Sequence, residues 1–177
     1  MEIKAINTIY KNYKFRSRLE ARWAVFLDEL GVKYEYETEG YNLHYNGYYL
    51  PDFTIVYLGK TIFLEIKKST DAQYAKSLAP YLTDDDASAK CCELSMMHKN
   101  TFVLLVCGDP FEHKATWFKD GCLEYPCAAI CFDNESISPT PYEDQEIEYE
   151  ESKRKYIHRD AAIVARQARF EHGENGR

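Results

Sequence analysis

The sequence lacks a long apolar run, the pattern of a secretory leader and any regular spacing of cysteines. No apolar stretch approaches the roughly 20 residues that span a bilayer, so we expect no membrane partner. The first residues lack the charged and then apolar order of a secretory signal. Six irregularly spaced cysteines predict reduced thiols, and neither a disulfide framework nor a zinc site. These absences together predict a cytoplasmic protein.

The chain also lacks net positive charge. Its formal charge of −7 argues against a protein that simply coats nucleic acid. Lysine and arginine nevertheless concentrate before residue 33 and in residues 153–169, while residues 143–151 are acidic. Because fields are local at physiological ionic strength, the two basic ends leave phosphate recognition open.

The length of 177 residues suits one domain with a substantial core. We place that domain in residues 1–133. Residues 134–151 mix proline, serine and acids, which predicts an acidic linker. Residues 152–177 are predicted to form a basic C-terminal helix and tail.

Hydrophobic periodicity predicts alternating helices and strands. Residues 17–30 carry an apolar stripe at helical spacing, with Ser17 and Glu20 as a capping box and Gly31 as a stop. Predicted strands cover residues 32–36, 41–45, 48–57, 61–67, 101–107, 115–118, 122–125 and 128–132, and further helices cover 87–97 and 156–170. Turns are expected at Asn46–Gly47, at Gly59 and at Asp120–Gly121. This order predicts an α/β sandwich with a mixed sheet.

The predicted hairpin about Gly59 brings charged residues together. Asp52 would lie opposite Glu65 or Ile66, and Glu65 shares a face with Lys67. Two carboxylates at this distance repel each other unless a cation lies between them. A hard divalent cation such as Mg²⁺ suits such oxygen ligands. The alternative is a surface hairpin with scattered charges.

Three motifs in order resemble the PD-(D/E)XK superfamily of restriction-endonuclease-like nucleases. They are residues 15–24 (FRSRLEARWA), Pro51–Asp52 and Glu65–Ile66–Lys67. Residues 165–173 are similar to the tails of small phage-borne members. Over about residues 10–110, the resemblance implies an αβββαβ core with a mixed central sheet flanked by helices, and the chain adds a C-terminal hairpin and helix. It further implies a DNA-cleaving enzyme of phage replication, recombination or host takeover, acting in the host cytoplasm.

The resemblance also implies roles for individual residues. Asp52 and Glu65 would hold Mg²⁺ or Mn²⁺, with the Ile66 carbonyl as a further ligand. Glu20 would bind or support the metal, although a purely capping role with Ser17 stays open. Lys67 would orient or deprotonate the attacking water, or neutralise charge on the phosphate. Hydrolysis of a phosphodiester requires an activated water and fixed positive charge.

Arginines beside Glu20 are the candidate DNA contacts. Arg16, Arg18 and Arg22 would bind phosphate oxygens, while a solvated helix face is the alternative for each. The resemblance further implies one more polar group from the later helical segment, residues 71–97, with Gln73, Lys76 and Lys90 as candidates, of which Lys90 fits best. Glu37 or Glu39 could line the cleft, and His158 and His172 are expected at the surface.

The substrate form stays open among single strands, duplexes, junctions and RNA. A homodimer, and a phage or host protein partner, stay open as well. The rival function is a catalytically inactive nuclease-fold protein that binds nucleic acid or inhibits a host-defence protein. A structural or scaffolding protein is a third interpretation, which leaves the arrangement of the charged residues to chance.

Overall fold

The structure, a computed structural model, describes residues 8–68, 86–99, 101–132, 137–141 and 158–170. For residues 86, 122–131 and 137–141 it describes the backbone alone. The described elements are, in chain order, β1 (Thr8–Tyr10), β2 (Tyr13–Phe15), α1 (Arg18–Glu29), β3 (Tyr34–Tyr36), β4 (Tyr41–Leu43), β5 (Gly47–Tyr49), β6 (Phe53–Tyr57), β7 (Lys60–Lys67), α2 (Asp86–Met97), β8 (Phe102–Asp109), β9 (Glu112–Lys119), β10 (Cys122–Phe132), β11 (Ile137–Pro141) and α3 (Arg159–Gln167).

The main sheet has seven strands in the order β11-β10-β9-β8-β7-β6-β3. Strands β7 and β8 are parallel, and the other neighbours are antiparallel. A parallel pair needs a crossover, and α2 lies in the connection between these two strands. The prediction of a mixed α/β fold with a mixed central sheet is therefore confirmed.

Helices cover both faces of this sheet. Residues of α1 and α3 pack with Ile62 and Leu64 of β7 on one face. Residues of α2 pack with Phe63 on the other face. This alternation follows from the two-residue period of a strand. Strand β8, predicted to be buried and central, lies between β7 and β9 with both faces covered.

Helix α1 begins where the sequence predicts. The Ser17 hydroxyl accepts a hydrogen bond from the Glu20 N–H at 3.2 Å, so Ser17 is the N-cap. The helix ends at Glu29, just before Gly31, whose φ of +68° suits a glycine at a helix C-terminus. The local signals of the sequence thus fix the helix that carries Glu20.

The hairpin that follows differs from the prediction in one respect. The predicted strand over residues 48–57 is wrong, because it is divided into β5 and β6, which belong to different sheets. Pro51 lies at the break and has no N–H to donate to a ladder. The turn at Leu58–Gly59 is confirmed, with φ values of +50° and +74° that fit a type I′ hairpin.

In the C-terminal half, one predicted hairpin is confirmed and two features differ from the prediction. Strands β9 and β10 pair across Asp120–Gly121 as predicted. Strand β11 lies within the stretch predicted to be irregular, and as an edge strand it tolerates its two prolines. The surface position predicted for His158 is wrong: its ring is buried, and Nε2 accepts from the Phe132 N–H at 3.0 Å. His172 lies outside the described residues.

No helix among the described residues is both long and apolar enough to cross a membrane.

Candidate active site

Three buried carboxylates meet at one end of β7. Glu20 comes from the first turn of α1, Asp52 precedes β6, and Glu65 lies in β7. Their exposed fractions are only 8%, 2% and 5%, respectively. Lys67 contacts Glu65, so the structure brings together all four residues that the motifs predicted for the chemistry.

Asp52 is held at both of its oxygens. Oδ2 accepts the Ile66 N–H at 2.7 Å, and Oδ1 accepts Nη2 of Arg16 at 2.6 Å. The pairing of Phe53 with Leu64 places Asp52 at the next position, beside Glu65 and Ile66. The predicted proximity of Asp52 to β7 is therefore confirmed.

The environment of Asp52 disfavours its charge. Burial raises the pKa of this carboxyl to about 8, and the charges of Glu65 and Glu20 act in the same direction. The Ile66 N–H and the charge of Lys67 oppose the rise. A carboxyl with so high a pKa takes up a proton near neutral pH unless a further cation stabilises its anion.

Glu65 is held by a lysine and a tyrosine. Oε1 forms an ion pair with Nζ of Lys67, and Oε2 accepts the Tyr49 hydroxyl at 2.9 Å. Burial alone lowers the pKa of Lys67, but the charge and hydrogen bond of Glu65 and the charge of Asp52 raise it overall. Lys67 is therefore an ammonium at neutral pH, which suits charge stabilisation and hydrogen-bond donation better than a role as general base.

Glu20 has a structural role in addition to any catalytic one. Oε1 accepts the Ser17 hydroxyl at 2.7 Å. Oε2 accepts the Tyr36 hydroxyl at 2.5 Å and the Arg16 N–H at 3.1 Å. The carboxylate thus stabilises the start of α1 and fixes the backbone of Arg16, as expected of a residue that both caps a helix and faces a site.

Three residues of this site were not predicted from the sequence. Tyr36 donates to Glu20, Tyr49 donates to Glu65, and the Cys91 sulfur lies 3.5 Å from the Tyr49 hydroxyl oxygen. Burial raises the pKa of Cys91 well above its usual range, so the thiol is neutral and unreactive. Abundant tyrosine was the only signal in the sequence, and it did not indicate which tyrosines reach the carboxylates.

The predicted DNA contacts separate into different places. Arg16 points at carboxylates: its Nη2 contacts Asp52, and its Nε lies 2.5 Å from Oε1 of Glu37. Arg18 and Arg22 line a separate cavity next to residues that follow α3. The remaining candidates lie on α2, where Lys90 is half-buried, or outside the described residues, as for Gln73 and Lys76.

Asp52 and Glu65 offer oxygen ligands of the kind that a hard divalent cation takes, and each of their oxygens contacts a protein donor or cation in this structure. Within the described part of the chain, no group of three His, Cys, Asp or Glu side chains is arranged to hold a metal. Mg²⁺ is commonly bound by one or two carboxylates, with water and substrate phosphate completing the shell. Asp52 and Glu65 provide such a pair, and burial, followed by the charge of Glu65, raises the pKa of Asp52.

Comparison of the chain with protein-family models, curated proteins and solved structures finds no match in any of the three.

Proposed function

We propose that the chain is a metal-dependent nuclease that hydrolyses DNA phosphodiester bonds, of the PD-(D/E)XK type. The observation that carries the proposal is the buried pair Asp52 and Glu65 with the Lys67 ammonium on Glu65. Burying neighbouring carboxylates is unfavourable for folding. Such an arrangement is typical of a functional site in which shifted pKa values serve chemistry.

The order of the elements supports the same proposal. Along the chain, the main sheet and its helices follow as α1, β3, β6, β7, α2 and β8. With β4 and β5 set apart in a second sheet, this succession supports the αβββαβ core that the motif resemblance implies. The three motif segments lie at the start of α1, before β6 and at the end of β7.

Each residue has a defined task in this proposal. Asp52, Glu65 and the Ile66 carbonyl would hold Mg²⁺ or Mn²⁺, an ion that would supply an activated water and charge compensation on the phosphate. The Lys67 ammonium donates a hydrogen bond to the attacking water or a phosphate oxygen, which stabilises the charge that develops there. Glu20 keeps the Arg16 backbone and the start of α1 in place beside Asp52.

A second candidate function is nucleic-acid or protein binding without cleavage. The observation in its favour is that Arg16 and Lys67 already contact one oxygen of Asp52 and of Glu65. If Arg16 and Lys67 already neutralise the charges of Asp52 and Glu65, the two carboxylates need no metal ion to be stable. Inhibition of a host-defence protein belongs to this second candidate, whereas a role in phage replication, recombination or host takeover belongs to the first.

Cleavage of labelled nucleic acids by the full-length protein tests the choice. Single-stranded, duplex and branched DNA, and RNA, would be incubated with Mg²⁺ or Mn²⁺ and, in parallel, with chelator. We expect metal-dependent cleavage of DNA that Glu65→Gln abolishes and that Glu35→Gln, which changes an exposed carboxylate on β3, leaves intact. DNA binding without cleavage under every condition would favour the second candidate, and cleavage equal in both variants would place the chemistry elsewhere.

A further inference from the structure

A groove lined by four arginines lies between α1 and the end of α3. We call it the arginine groove; its charged residues are Arg18, Arg22, Arg166 and Arg169. The groove encloses a cavity of about 690 Å³, completed by Gln167, Ala168 and Phe170. None of the described residues that line it is acidic.

The groove is distinct from the carboxylate site. Arg18 and Arg22 are four positions apart on α1, so they lie on the same face of that helix. Glu20 lies midway between them in sequence, roughly 200° around the helix from each. The arginines and the carboxylates therefore occupy different faces of one helix.

Two observations indicate an anion in the groove. Guanidinium groups gathered around one cavity repel each other unless negative charge lies between them. Two carboxylates lie near Arg166, Asp109 at 4.0 Å and Glu112 at 3.8 Å, and both are outside the groove lining. In addition, the Nε of Arg22 is buried and has no hydrogen-bond partner among the described residues, a donor that an anion can satisfy.

We propose that the arginine groove binds the phosphate backbone of a nucleic-acid strand, as a site separate from the carboxylates. Arginine forks match phosphate oxygens in a bidentate manner. The four guanidinium groups line a cavity that is larger than one phosphate. This arrangement suits several successive phosphates of a strand better than a single small anion. The groove holds the strand whether or not the chain cleaves it, so the proposal does not depend on hydrolysis.

The salt dependence of binding tests the proposal. Affinity for a short fluorescein-labelled single-stranded oligonucleotide would be measured by anisotropy over a series of salt concentrations, in chelator so that no cleavage occurs. The Arg22→Gln/Arg169→Gln variant should bind more weakly. The slope of log affinity against log salt should fall by about 1.4 in magnitude, for two lost phosphate contacts on a single strand.

The matched control is Lys33→Gln/Arg159→Gln, which removes the same charge from exposed positions outside the groove. Its slope should equal that of the wild type. If Arg22→Gln lowers the melting temperature, Arg166→Gln/Arg169→Gln makes the same measurement on two exposed side chains.

Equal slopes for the groove variant, the control and the wild type would overturn the proposal. A second arm replaces the oligonucleotide by pyrophosphate at matched ionic strength. Binding of pyrophosphate that depends on Arg22 and Arg169, together with oligonucleotide binding that does not, would also overturn it and assign the groove to a small free phosphate. Because neither arm measures cleavage, failure of the nuclease proposal leaves both results interpretable.

Discussion

The carboxylate of Asp52 accepts the backbone N–H of Ile66 at 2.7 Å. The β6–β7 ladder ends at Phe53, two residues after Pro51. Just before that point, the Asp52 side chain takes the place of a main-chain acceptor for the Ile66 N–H. The same contact holds a buried anion next to Glu65. The hydrogen bond of Asp52 therefore stabilises the local backbone, while the burial of its negative charge destabilises the folded state.

Asp52→Asn should stabilise the protein, and more so as the pH rises. The raised folded-state pKa of about 8 means that the folded protein binds this proton more tightly than the unfolded chain. The stability that protonation contributes is thus fully present below the unfolded pKa of about 3.9 and is lost as the pH rises through about 8. Asparagine stays neutral and can still accept from Ile66 through its amide oxygen.

Thermal or denaturant unfolding at about pH 5 and about pH 8 measures this effect. At the higher pH we expect a gain of at least about 1.4 kcal/mol, the value of one pKa unit, with a smaller gain at the lower pH. Asp120→Asn, which removes a charge from the exposed β9–β10 turn, is the matched control. A loss of stability at both pH values would mean that the Arg16 ion pair outweighs the burial of charge.

The sequence predicted that Asp52 lies beside Glu65 because the determinants of that contact are local, whereas the approach of Glu20 was implied only by the motif resemblance. Ser17 and Glu20 cap their own helix, and the turn at Leu58–Gly59 sets the register that brings Asp52 to Glu65. Tyr49 was missed because β5 belongs to another sheet, and no local pattern reports which residue a separate hairpin presents to Glu65.

His158 was misplaced for a similar reason. Its hydrogen-bond partner, the Phe132 N–H, lies 26 positions away in sequence, so no spacing pattern indicated a buried ring. The positions of Arg18 and Arg22 depend likewise on α3, because the sequence does not show which face of α1 the distant helix covers. Local capping and turns are readable from sequence, whereas contacts between distant elements are not.

Divalent-ion binding should strengthen with pH. A metal binds the carboxylate of Asp52 and not its protonated form, so below about pH 8 each ion bound displaces one proton. Titration calorimetry with Mn²⁺ should show affinity rising about tenfold per pH unit below that value, and buffers of different ionisation enthalpy should report the proton released. Asp52→Ala should bind much more weakly. Equal binding by the variant and the wild type would move the site elsewhere.

Arg16→Gln should increase affinity for the same ion. The guanidinium contacts Oδ1 of Asp52 and adds a positive charge that opposes a metal there. Removing one such interaction, of about 1.4 kcal/mol, corresponds to a gain of about tenfold in Mn²⁺ affinity. Lys14→Gln removes another exposed cation, two residues earlier in β2, and should change little. Weaker binding by Arg16→Gln would show that the arginine positions Asp52 more than it competes with the ion.

Tyr49→Phe tests the missed tyrosine as a positioning residue. Losing the hydroxyl leaves Oε2 of Glu65 without its donor, so we expect divalent-ion affinity to fall about 10-fold to 100-fold while the fold is kept. Tyr48→Phe is the control, since Tyr48 is adjacent in β5 and 62% exposed. Calorimetry on both variants makes the comparison, and equal affinities would limit Tyr49 to packing against α2.

The last prediction separates two neighbouring lysines. Lys67 is half-buried and paired with Glu65, whereas Lys68 is exposed. Lys67→Ala should therefore lose cleavage by about 10²–10⁴-fold, the usual cost of removing a positioned proton donor, in a gel assay of labelled DNA. It should keep or strengthen Mn²⁺ binding, because the Lys67 ammonium, like the Arg16 guanidinium, is a positive charge beside the ion. Lys68→Ala should cut as well as the wild type. If Lys68→Ala is the inactive variant, the ammonium that serves the phosphate is on the opposite face; if neither substitution matters, the site is not that of a nuclease.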